Sequence, residues 1–63
     1  MTLTPMEKRV SALLAQGFRD KEIAKETHIT LRTVKYHVHN LLEKHGVDGR
    51  GRLQYILLQG ETG

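Results

Sequence analysis

Asp20 to Gly46 reads DKEIAKETHITLRTVKYHVHNLLEKHG, and this stretch decides the fold. Ile23 and Ala24 lie on the inner side of a short helix over about 21–27, which Asp20 can cap. His28-Ile29-Thr30 breaks that helix. Thr30 can cap a longer one over about 31–45, which Gly46 stops. His28 falls where the turn calls for a left-handed backbone, which histidine tolerates better than a β-branched residue does. In the longer helix Leu31, Val34, Val38, Leu41 and Leu42 form an apolar stripe, and His45 is its odd last member. Arg32, Lys35, Tyr36, His39 and Glu43 recur at helical spacing on the opposite side. A short helix, a three-residue turn and a longer basic helix form the layout that sets a recognition helix in the major groove of DNA.

Working outward, Thr4-Pro5-Met6-Glu7 starts a helix over about 5–16. Thr4 and Glu7 have the spacing of a capping box, and Pro5 suits the first helical position. Val10, Leu13 and Leu14 give this helix an apolar face, Leu3 can staple its start, and Gly17 suits a left-handed stop. Beyond Val47 comes a basic turn, Asp48-Gly49-Arg50-Gly51-Arg52. A last helix follows over about 50–59, and Glu61-Thr62-Gly63 reads as a frayed tail. The expected fold is all-α, a compact four-helix bundle containing a helix-turn-helix, with residues 1–63 as one domain.

Composition narrows the function. Sixty-three residues bury a modest core, so stability should be marginal. The net charge is +3, and residues 30–52 hold five basic groups against two acidic ones. The positive excess thus sits on the longer helix and the turn after it, where phosphates would be met. With no cysteine, disulfides and thiolate zinc sites are excluded. No apolar run approaches the roughly 20 residues that span a bilayer, and MTLTPMEKR lacks the apolar core of a signal peptide. A soluble, cytoplasmic protein without a membrane partner is expected. No catalytic constellation or glycine-rich phosphate loop is visible, so no enzymatic activity and no cofactor are expected. His37 and His39 point to different sides of one helix, and no carboxylate or cysteine completes a metal set. His37 is expected at the core edge with one ring nitrogen bonded.

The segments LTPMEKRVSALLAQGF, KEIA, ITLRTVKYHVHNLLEKHGV and RGRL together resemble the C-terminal DNA-binding domain of LuxR-type transcriptional regulators. The resemblance runs from residue 3 to about 59. It is carried by L-T-P-x-E, G-x-x-x-K-E-I-A and T-V-K-x-H at the family's spacing. It implies a four-helix helix-turn-helix domain that binds a pseudo-palindromic site as a dimer, reads the major groove with its third helix and often dimerises through its fourth. Three residues depart from the family pattern. His45 stands where leucine is usual, Gly49 where a serine usually caps the last helix, and Arg52 where an acidic residue is common.

By this resemblance Lys35, Tyr36 and His39 match positions that commonly meet bases. Lys35 can donate to guanine O6 and N7. Tyr36 can offer a ring edge to a thymine methyl, and His39 can donate to guanine. Lys21, Arg32, Thr33 and Arg50 read as phosphate contacts, with Asn40 and Lys44 as weaker candidates. Tyr55 and Leu58 fall on the far side of the last helix and read as the contact of a weak homodimer. The expected partner is double-stranded DNA, with RNA polymerase a further candidate. Two other readings stand beside this one. A sigma-factor promoter-reading helix-turn-helix has similar helices, though the L-T-P-x-E opening favours the LuxR-type reading. A protein-interaction module that has lost DNA binding need not keep Lys35 and Arg32 exposed.

Overall fold

The computed structural model describes residues 2–60. It places four helices there, α1 (Pro5–Ala15), α2 (Asp20–Thr27), α3 (Leu31–His45) and α4 (Arg50–Gly60), with no strand among the described residues. The tail expected at Glu61-Thr62-Gly63 lies outside them.

Local chemistry sets most of the boundaries. Thr4 Oγ1 accepts the Glu7 amide at 3.1 Å, and Glu7 Oε1 accepts the Thr4 amide at 2.9 Å. This reciprocal box satisfies two donors that the first turn leaves open. Helix α1 gives way at Gln16 and Gly17, whose φ of +92° suits a residue without a Cβ. Helix α2 begins one residue earlier than expected, so Asp20 is not its cap. Arg19 holds that place with extended backbone, and the Glu22 carboxylate reaches back to accept its amide at 2.7 Å. As the first helical residue, Asp20 leaves its side chain free to meet a partner elsewhere.

The turn after α2 behaves as its sequence requires. His28 adopts the left-handed conformation with φ 59°, and Ile29 donates its amide to the Ala24 carbonyl at 3.2 Å. Thr30 Oγ1 then accepts the Thr33 amide at 3.1 Å and lies 2.9 Å from Thr33 Oγ1. Helix α3 runs on to Gly46, at φ 68°, where Val47 donates back to the Leu42 carbonyl at 3.0 Å.

The four helices meet around one core. Val10, Leu14 and Ala15 of α1, Ile23 of α2, Val34, Val38 and Leu41 of α3, and Leu53 and Leu57 of α4 are buried there. Each large aliphatic side chain among them contributes about 1.5–3 kcal/mol of burial. Two ion pairs join sequence-distant segments. Lys44 near the end of α3 donates to Glu7 Oε1 at 2.6 Å and to the Thr2 carbonyl at 3.2 Å. Arg50 at the start of α4 pairs with Asp20 and donates to the Phe18 carbonyl at 2.8 Å.

Candidate nucleic-acid interface

Helix α3 carries the site because its two faces differ so completely. Val34, Val38 and Leu41 point into the core, so the residues between them turn outward. Arg32, Lys35, Tyr36 and His39 are all exposed, with Tyr36 at 62%. Fifteen helical residues span roughly 22 Å at the usual rise. An exposed ridge of that length fits a B-DNA major groove about 12 Å wide.

Along this ridge the side chains are not equally free. Arg32 and Lys35 have no hydrogen-bond or ion-pair partner among the described residues. His39 Nε2 lies 3.7 Å from Glu43 Oε2, one turn further on, so that carboxylate draws the ring along the helix whenever it is protonated. The Tyr36 ring meets His37 edge-on, with centroids 5.6 Å apart. Thr33 is half-buried, and its hydroxyl and amide both engage Thr30.

Beside the ridge, Arg19, Asp20, Lys21, Glu22, Leu31, Lys35 and Arg50 line one shallow surface depression. The fold thus brings Lys21, in the first turn of α2, and Lys35, in the second turn of α3, to a common rim. Arg19 belongs to this rim and was not singled out from sequence. Its place directly before the first turn of α2 was the available signal. Arg50 reaches the rim as well, but its guanidinium is engaged by Asp20 and Phe18.

Other candidates are drawn inward. Lys44 is tied to Glu7, a carboxylate only 4% exposed. The Lys44 ammonium, followed by the Thr4 amide, holds the Glu7 carboxyl below its ordinary value of 4.5. Asn40 is half-buried. His37 does sit at the core edge, but the hydrogen bond expected for it is absent: Nδ1 is buried without a partner. On a helix that nitrogen lies close to backbone groups already committed to the helical ladder. His45 is half-buried, and its Nε2 likewise has no partner. No group of side chains suited to a metal ion occurs among the described residues. None of their helices is long and apolar enough to cross a membrane. On α4, Tyr55 and Leu58 are exposed at 56% and 55%.

A small helix-turn-helix bundle with an exposed basic third helix defines a class, the DNA-binding domain of a transcription regulator. The profile of the family described as "Bacterial regulatory proteins, luxR family" matches residues 1–57. The chain belongs to that family. It is also similar to the response regulator protein VraR of Staphylococcus aureus (strain NCTC 8325 / PS 47), of Staphylococcus epidermidis and of Staphylococcus saprophyticus. Each is 46% identical over 48 residues, which cover 76% of this chain and 23% of the relative. The matched segment is about a quarter of the length of those relatives.

Proposed function

We propose that residues 1–63 form one DNA-binding module that reads a specific double-stranded sequence by laying α3 in the major groove. Lys35, Tyr36 and His39 meet base edges, while Lys21, Arg32 and Thr33 hold the flanking phosphates. The observation that carries this reading is the unpaired, outward row of Arg32 and Lys35 on a helix whose other face is locked into the core. That same row disfavours an interaction module that has abandoned DNA. The exposure of Tyr55 and Leu58, three residues apart on α4, supports a two-fold contact between copies. Such a dimer would set two α3 helices about 34 Å apart, on the half-sites of a pseudo-palindrome. The description of the relatives as response regulators supports a place at the output end of a cytoplasmic signalling protein, acting on transcription by RNA polymerase.

Binding to random duplex DNA across a salt series tests the electrostatic core of this reading. Each phosphate contact should contribute roughly −0.9 to the log–log slope. A handful of contacts therefore gives weak binding that falls steeply with salt. Affinity indifferent to salt would refute it.

A further inference from the structure

The sequence suggests unrelated roles for Asp20 and Arg50, a helix cap and a phosphate ligand, and the fold sets them against each other. Arg50 Nη1 donates to Asp20 Oδ1, and Nη2 donates to the Phe18 carbonyl at 2.8 Å. The two side chains remain 39% and 25% exposed, so the pair is open to solvent and to a rival anion. It lies on the rim that also holds Lys21 and Lys35, both exposed and unpaired among the described residues. Two free cations thus sit beside a third that is already engaged. A backbone phosphate drawn to Lys21 and Lys35 would come within reach of Arg50. A phosphate and the Asp20 carboxylate would compete for the same guanidinium N–H groups. The carboxylate has the advantage of being tethered, which gives it a high effective concentration.

We propose that Asp20 is an intramolecular competitor that withholds Arg50 from the DNA backbone, holding down the sequence-independent part of binding. The inference rests on the DNA-binding reading above. Phosphate contacts carry no base information. Withholding one lowers affinity for all sequences alike and leaves discrimination to the exposed face of α3. Arg50 serves instead as a strut between the start of α4 and the α1–α2 turn, and joins the phosphate contacts only when released.

The test compares wild type, Asp20→Asn, Arg50→Gln and the double variant on random duplex DNA, with sodium chloride varied from about 50 to about 200 mM. Asparagine keeps a carbonyl that can accept one Arg50 N–H while losing the charge. Asp20→Asn should bind tighter, with a log–log slope steeper by about 0.9. Its advantage should then shrink roughly three- to fourfold across that salt range, and it should vanish in the Arg50→Gln background. An unchanged slope, or a gain that survives Arg50→Gln, overturns the proposal, since the aspartate would then act only as a repelling charge. Wild-type binding without any salt dependence would instead strike the DNA-binding reading itself. A measurement on the wild type covers loss of folding in the variants. On adding random duplex, the guanidinium NMR signals of Arg50 should stay in place while the Lys21 and Lys35 ammonium signals move. Movement of Arg50 together with the lysines would contradict withholding.

Discussion

Two parts of this molecule reach their positions by different routes. The α2–turn–α3 unit is specified by residues close in sequence. His28 supplies the left-handed turn, Thr30 caps α3, Gly46 ends it, and a regular apolar stripe seats it. Helix α4 follows Gly49, which has no side chain to offer as a cap, and is fixed by distant partners instead. Arg50 reaches back thirty positions to Asp20, while Leu53 and Leu57 drop into a core built by the other three helices. The bounds of α3 are therefore set by local chemistry, and the helix that presents Tyr55 and Leu58 depends more on the rest of the fold.

Substitutions can break this contrast, starting with the largest effect. Leu53→Ala removes a fully buried side chain from α4 and should cost about 2–5 kcal/mol. In hydrogen exchange, α4 should lose more protection than α3, and equal loss would show that the two parts are not separable. His28→Val acts on the local side. A β-branched residue held at φ 59° should cost roughly 1–2 kcal/mol, whereas His28→Gly should be nearly neutral in thermal melts. His28 is exposed, so packing does not confuse that comparison. Equal stability of the two variants would mean that the turn tolerates other geometries.

Two smaller effects sharpen the picture at the end of α3. His45→Leu replaces a ring whose Nε2 is buried without a partner, and should stabilise the fold by about 1 kcal/mol. In a domain of this size that raises the melting temperature by roughly 4–8 °C, and no rise would mean that solvent satisfies the nitrogen. Glu7 gives an effect confined to acid. Its carboxyl is held below 4.5, first by the Lys44 ammonium and then by the Thr4 amide. A depressed folded-state value means that the ionised form favours the native state. This stabilisation is complete above the unfolded value and is lost as pH falls through the lower folded one. Thermal melts of Glu7→Gln should therefore depend less on pH below 4.5 than those of the wild type. Parallel curves would assign the acid dependence to other carboxylates.

The same contrast explains what the sequence made legible. Four helices, the capping box, the left-handed turn at His28 and the outward row on α3 all follow from short-range periodicity and turn chemistry. Asp20 was misread because serving as the cap and occupying the first helical position differ by one residue, and its distant partner Arg50 leaves no mark in local pattern. The Lys44–Glu7 pair was hidden for the same reason: it joins residues thirty-seven positions apart. The unpartnered nitrogens of His37 and His45 depend on how far each ring turns under its neighbours, which periodicity does not fix. For the site, the exposure of Lys35, Tyr36 and His39 was readable from the stripe. The engagement of Arg50, and the presence of Arg19 on the same rim, came only with the fold.

We propose that the outward face of α3 reads bases. Selection from a random duplex pool, followed by titration of wild type and Lys35→Ala against the winning sequence and a scrambled control, tests it most directly. The substitution should cost about 1–3 kcal/mol on the winning sequence, relax preference at one or two base pairs and weaken the control much less. A Lys35→Ala protein that selects the same sequence with the same affinity would contradict the claim.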